Sequence, residues 1–144
     1  MIRQITITRD DRQRLGSMLE WVREDNVERR EYLQSLESEL ELARALDPME
    51  IPPDLVTMDS TVEVRDLDSG EVENYTLVYP ERADIAQNRI SILAPVRTAL
   101  LGRRVGDVVS VAVPSGRRRI RIEAIQYQPE NASMEAATDT LRGP

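Results

Sequence analysis

Thr61-Val62-Glu63-Val64-Arg65-Asp66-Leu67-Asp68-Ser69-Gly70-Glu71-Val72-Glu73-Asn74-Tyr75-Thr76-Leu77-Val78-Tyr79-Pro80 has a two-residue period on either side of a turn signal. Val62 and Val64 alternate with Glu63 and Arg65, as on a strand with one buried face. Asp68-Ser69-Gly70 combines side chains that bond their own backbone with a residue free to take positive φ. Tyr75, Leu77 and Tyr79 then share one face, with Thr76 and Val78 on the other, and Pro80, lacking an N–H, ends the run. The segment is a β-hairpin. Toward the C-terminus, Ile90 and Ile92 form a short third strand. Pro95 to Leu101 reads as a short helix, with Pro at its first position and Gly102 just past its end. Gly106-Asp107 is a turn, Val109, Val111 and Val113 alternate, Pro114-Ser115-Gly116 reverses the chain, and Ile120 and Ile122 return it. About five strands, mostly antiparallel, with one short helix make an α+β domain over residues 61–128.

Toward the N-terminus the period changes. Thr8 is a candidate N-cap, with Asp10 and Asp11 in the first turn where the helix dipole favours negative charge. Leu15, Met18, Leu19 and Val22 form one helical stripe, which fades at residues 23–26. Leu33, Leu36, Leu40 and Ala43 form a second stripe at heptad spacing. Residues 1–46 are thus expected to hold a short antiparallel helical hairpin. With helices of about 16–20 residues its reach is roughly 24–30 Å. Both stripes are narrow, which favours a projecting arm over a hairpin lying flat on the β domain. Residues 47–60, with Asp47-Pro48 and Pro52-Pro53, read as a linker, and residues 129–144 as a disordered tail.

Composition narrows the function. The 144 residues carry a net charge of −7, and residues 1–60 hold 8 Arg against 14 acidic residues. That balance is the wrong sign for gripping nucleic acid by its phosphates, so no direct sequence-specific nucleic-acid binding is expected. The absence of Cys and His removes disulfides, thiol nucleophiles, Cys/His zinc sites and His-based triads, and no metal or cofactor is expected. No segment reads as a signal peptide or a membrane span, which points to a cytoplasmic protein.

Several blocks, in order, carry a resemblance. They are Asp54-Leu55-Val56-Thr57-Met58-Asp59-Ser60, Gly70-Glu71-Val72, Tyr75-Thr76-Leu77-Val78-Tyr79-Pro80, Ile90-Ser91-Ile92-Leu93-Ala94-Pro95-Val96, Ala99-Leu100-Leu101-Gly102, Val105-Gly106-Asp107 and Tyr127-Gln128-Pro129-Glu130. Together they resemble the regulator of nucleoside diphosphate kinase (Rnk) family, within the wider GreA/GreB transcript-cleavage factors. The resemblance covers about residues 50–130 and extends more loosely over the hairpin. It implies an FK506-binding-protein-like C-terminal domain that sits on the rim of the RNA polymerase secondary channel, with the coiled coil directed into the channel. The loop that makes part of the rim contact matches Leu93, Ala94, Pro95 and Val96 here. Prolyl isomerase activity, raised by the same fold, is rejected: the chain has no Phe and its single Trp, Trp21, lies in the hairpin.

The resemblance also picks out the hairpin tip, where cleavage-stimulating factors carry an Asp-x-x-Glu pair followed by Glu-Tyr. Asp25, Glu28, Glu31 and Tyr32 match that spacing. Such carboxylates can hold a Mg²⁺ at the polymerase active centre. Asp25 capping the second helix with Glu28 in its first turn, and contact with basic channel walls, are the other two readings. Arg117, Arg118, Arg119 and Arg121 form a basic cluster, either a solvated strand face or a patch for acidic polymerase surface or nascent RNA. The expected function is a non-enzymatic regulator that binds core RNA polymerase, occupies the secondary-channel region and competes with longer Gre-type factors. The alternative is a short cleavage-stimulating factor that lends Asp25 and Glu28 to the polymerase.

Overall fold

The computed structural model describes residues 4–22, 27–94, 100–113 and 116–132, and divides into two compact units, Met1–Asp47 and Pro48–Pro144.

The first unit is a helical hairpin closed at its base by two short strands. Strand β1 (Thr6–Thr8) leads directly into helix α1 (Arg9–Trp21); helix α2 (Val27–Leu42) leads into β2 (Arg44–Leu46). The strands pair in parallel, Thr6 with Arg44, Ile7 with Ala45 and Thr8 with Leu46. Thr8 is extended and its Oγ1 accepts the Asp11 N–H at 3.0 Å, so the cap and the acidic first turn form as expected. Ile5, Ile7, Leu15, Leu36, Leu40 and Ala43 are the buried apolar set. Arg12 donates to the Glu41 carbonyl at 3.3 Å, and Arg9 meets Asp47 at 3.0 Å. Two details differ from the sequence reading. Helix α1 has 13 residues, fewer than expected, whereas α2 with 16 falls within the expected range; their lengths are about 20 and 24 Å. Residues 44–46, grouped with the helices above, form a strand because they meet a backbone edge at Ile5–Thr8 that helix continuation would leave unpaired.

The second unit is a five-stranded sheet in the order β5-β4-β3-β7-β6. Its strands are β3 (Thr61–Asp66), β4 (Val72–Val78), β5 (Arg89–Ser91), β6 (Val108–Val113) and β7 (Gly116–Tyr127). Every pairing is antiparallel except β4 with β5. The β3–β4 hairpin turns where Asp66 accepts the N–H groups of Asp68 and Ser69, and Gly70 takes a φ of 79°. Val62, Val64, Leu77, Val109, Ile120 and Ile122 are buried. The alternation of β4 stops at its end, where Leu77, Val78 and Tyr79 are all buried. The expected helix from Pro95 falls mostly outside the described residues; Leu100–Gly102 form a turn with both leucines buried.

The stretch read as a linker belongs to this unit. Ile51, Leu55, Val56, Thr57, Met58 and Ser60 are buried. Val56 donates to the Arg103 carbonyl at 2.8 Å and accepts from Gly102 at 2.9 Å, while Val105 donates to Asp54 at 3.0 Å. Prolines at 48, 52 and 53 remove backbone donors but leave carbonyls, so the strap bonds through its other residues and through side chains. The start of the supposed tail also folds: Gln128 is buried and leads into a helical turn at Pro129–Ala132. Residues 133–144 lie outside the described set.

Candidate functional site

The residues picked out by sequence fall into three places. The hairpin end holds the first. Asp25 lies outside the described residues; Glu28 stands in the first turn of α2, and Glu31 is exposed one turn later. First-turn acids suit the positive end of the helix dipole. Flanking this end, Trp21 closes α1 with 85% of its surface exposed, and Val27 opens α2 at 58%. Neither belongs to the two core stripes, and that misfit was the signal in the sequence for an exposed apolar pair. Between the helices runs a groove of about 260 Å³, lined by Arg12, Gly16 and Leu19 from α1 and by Glu37, Leu40 and Glu41 from α2. It is open and its lining mixes charged with apolar side chains, unlike an enclosed small-molecule pocket.

The second place is the turn after β5. Ser91 holds it: its Oγ accepts the Leu93 N–H at 3.0 Å and its carbonyl accepts the Ala94 N–H at 2.9 Å. Leu93 and Ala94 are half-buried, next to the fully buried Ile92. Pro95 and Val96 lie outside the described residues.

The third place is the arginine cluster on β7, and here the structure adds most. Arg118 pairs with Asp66 at 2.8 Å, and Arg119 with Asp68 at 3.2 Å. Arg121 lies directly opposite Arg65 in the β3–β7 register, an unfavourable pairing of like charges. A register shift between Glu63 and Val64 makes Glu123 an extra residue in β7. That bulge brings its carboxylate between the two guanidiniums, 2.8 Å from Arg121 Nη2 and 3.0 Å from Arg65 Nε. The Arg121 guanidinium, with Arg65 adding to it, holds the Glu123 carboxyl below the ordinary range against the opposing effect of burial. Asp66 is lowered too, first by the N–H groups of Asp68 and Ser69 and then, against burial, by Arg118. Three of the four cluster arginines therefore carry acidic partners; Arg117 is exposed opposite Ala112. The arginines stand out in the sequence but their partners do not, because Asp66, Asp68 and Glu123 reach them only through the turn and the bulge.

The sheet order keeps the second and third places apart. The β5 turn and β7 are three strand spacings from one another, about 14 Å at about 4.8 Å each. Among the described residues no group of three or more His, Cys, Asp or Glu is placed to hold a metal ion, and no helix is long and apolar enough to cross a membrane.

A polar lock missing from the sequence reading joins the strap to the end of β7. Gln128 Nε2 donates to the carbonyls of Pro52 (2.8 Å) and Leu55 (2.7 Å), and its Oε1 accepts from Asn131. Thr57 donates to Glu130 at 2.9 Å and shares a bond with Ser60 at 2.9 Å. The Tyr-Gln-Pro-Glu block noted in the sequence is thus a structural clasp.

Comparison with known proteins agrees with this architecture. The family described as "Transcription elongation factor, GreA/GreB, C-term" matches residues 51–127, and "Rnk N-terminus" matches residues 3–46. The match beginning at residue 51 includes the strap in the domain, as the structure does. A regulator of nucleoside diphosphate kinase from Escherichia coli K12 is 42% identical over 99 residues, 68% of this chain and 73% of that protein. The transcription elongation factor GreA of Desulfovibrio desulfuricans is 38% identical over 96 residues, 67% of this chain but 59% of its own length. Among solved structures, a prokaryotic transcription elongation factor GreA/GreB from Nitrosomonas europaea superposes with a TM-score of 0.75 at 41% identity, covering 87% of this chain and 99% of its own.

Proposed function

The chain belongs to the GreA/GreB transcription elongation factor family, with an Rnk-type N-terminal segment, and from that premise we propose that it binds RNA polymerase and acts by occupying the secondary-channel region. In this reading the β domain docks on the channel rim, with Leu93, Ala94, Pro95 and Val96 in the contact, while the hairpin narrows the channel mouth. The factor performs no chemistry of its own and competes with longer Gre-type factors by mass action.

The observation that carries the reading is the size of the hairpin. Its helices are 13 and 16 residues long, an arm of about 20–24 Å. An arm of that length fills the mouth of a channel without delivering Asp25 and Glu28 to its catalytic metals. Trp21 and Val27, exposed at the far ends of the helices, supply apolar contact area.

The test uses a stalled, backtracked transcription complex with labelled RNA. The protein alone is expected to leave the transcript intact, and to suppress shortening by a long-armed cleavage factor. Shortening by the protein alone, lost in Asp25→Asn and Glu28→Gln variants, would replace occupancy with the cleavage-stimulating alternative. If it neither shortens the RNA nor suppresses the long factor, polymerase binding itself is refuted.

A further inference from the structure

The two edges of the sheet are treated differently. At one edge, β5 is only three residues long, and Asp84 closes it by exchanging both backbone bonds with Arg89 at 2.9 Å. At the other edge stands β6, six residues long, and among the described residues no segment pairs with its outer side. Natural edges are blunted by charge, proline or a bulge. Val108-Val109-Ser110-Val111-Ala112-Val113 has neither charge nor proline, and its pairing with β7 is regular from Val108–Arg121 to Val113–Gly116. Val108 and Ser110 are exposed on either side of the buried Val109. Asp107, the nearest acid, is turned away and accepts the Arg104 N–H at 2.8 Å.

We propose that β6 is a homodimerisation edge: two copies pair their β6 strands antiparallel about a two-fold axis through Ser110, joining two five-stranded sheets into one of ten. This goes beyond the function proposed above and does not depend on it. Pairing about Ser110 keeps both sheet faces in register, setting Val109 opposite Val111 and Val108 opposite Ala112 of the second copy. No charge meets a like charge within the pair. The arginines one strand further in do not oppose approach, since Arg118, Arg119 and Arg121 are already matched by Asp66, Asp68 and Glu123. A two-fold pairing of β6 with β6 is isologous and uses up that edge in both copies, so it closes at two copies rather than running on to a fibre. Six residues of strand are a small interface, so the dimer is weak and concentration-dependent.

The chain contains no Cys, so a single introduced thiol reports cleanly. Residues facing one another across an antiparallel pair have Cα atoms about 4.5 or 5.5 Å apart, both within the span of a disulfide. Ser110→Cys is therefore expected to form a covalent dimer under mild oxidation at least tenfold faster than Ser17→Cys, an exposed control on α1. Sedimentation of the wild-type chain is expected to show an apparent mass rising toward twofold with concentration. Ser110→Lys and Val108→Lys, both at exposed edge positions, are expected to hold it at one chain with an unchanged circular dichroism spectrum. A wild-type chain that stays monomeric up to its solubility limit overturns the proposal, and so does Ser110→Cys cross-linking at the rate of the control. A dimer that survives both lysine variants, which would place the contact elsewhere, overturns it as well.

Discussion

Replacing Gln128 with Ala tests whether the strap at residues 51–60 is held by side chain or by backbone. In the folded chain the Leu55 carbonyl takes its bond from Gln128 Nε2 at 2.7 Å in a buried setting. The Pro52 carbonyl accepts from Gln128 but also from the Leu55 N–H at 3.2 Å. Truncation thus orphans one buried acceptor fully and weakens a second. One orphaned acceptor costs about 1–3 kcal/mol, so about 2 kcal/mol is expected, read as a lower urea midpoint at unchanged slope. The buried Tyr79 gives a near-ultraviolet signal for the β unit, whereas Trp21 lies in the other unit and is already exposed. Hydrogen exchange localises the effect. The amides of Val56, Gly102 and Val105 bond between the strap and the 100–105 turn, and should exchange about 30-fold faster if opening is eased by about 2 kcal/mol. Gln128→Glu is expected to be worse at neutral pH, because the introduced carboxylate faces two carbonyls with no proton to offer. Its folded pKa is raised by those carbonyls and by burial, so the penalty holds above that pKa and eases as pH falls through it. If Gln128→Ala leaves both the midpoint and the three amides unchanged, the clasp does not hold the strap and the reasoning fails.

Three other outcomes follow from the geometry. Asp66 has a lowered pKa, so the stability it contributes is present above its unfolded value and is lost as pH falls through the folded one; urea midpoints of the wild type should drop below about pH 4, and Asp66→Asn should flatten that dependence. Thr8→Ala removes the α1 cap and should cost the hairpin unit about 1 kcal/mol, seen as lower helicity and an earlier thermal transition by far-ultraviolet circular dichroism. Trp21→Ala removes an exposed side chain and should change stability by less than about 0.5 kcal/mol, yet weaken binding to core polymerase. The same site allows a direct reading, since the fluorescence of this single Trp should shift to the blue when polymerase is added.

Much of this architecture was legible in the chain because it rests on local rules. Thr8 caps α1, Leu36 and Leu40 of the second stripe are buried, and the Asp68-Ser69-Gly70 turn joins β3 to β4 as the pattern predicts. The features that escaped depend on partners distant in sequence. Leu55-Val56 has no strand period of its own and is fixed by residues 102–105, about fifty positions away. The parallel pairing of β4 with β5 depends on how residues 80–88 cross over. Arg44–Leu46 becomes a strand only because Ile5–Thr8 offers it an edge. The candidate site follows the same division. Glu28, Glu31 and the arginine positions could be picked out by type and spacing, but the neutralisation of Arg121 by a bulged Glu123 could not, because a bulge is a property of two strands together.

The short parallel pair at the base of the hairpin also bears on how such arms change length. Strands β1 and β2 tie the chain to itself on either side of the two helices, so the unit is a closed ring with its clasp at the strand pair and the two helices between. Closing a longer ring is cheap in entropy, about 0.6 kcal/mol for each doubling of its length. Adding one heptad to each helix keeps both stripes in phase and leaves Ile5, Ile7 and Ala43 where they are. Arm length in this architecture is thus a dial that turns independently of its mounting, and a lineage can lengthen or shorten its probe without redesigning the socket.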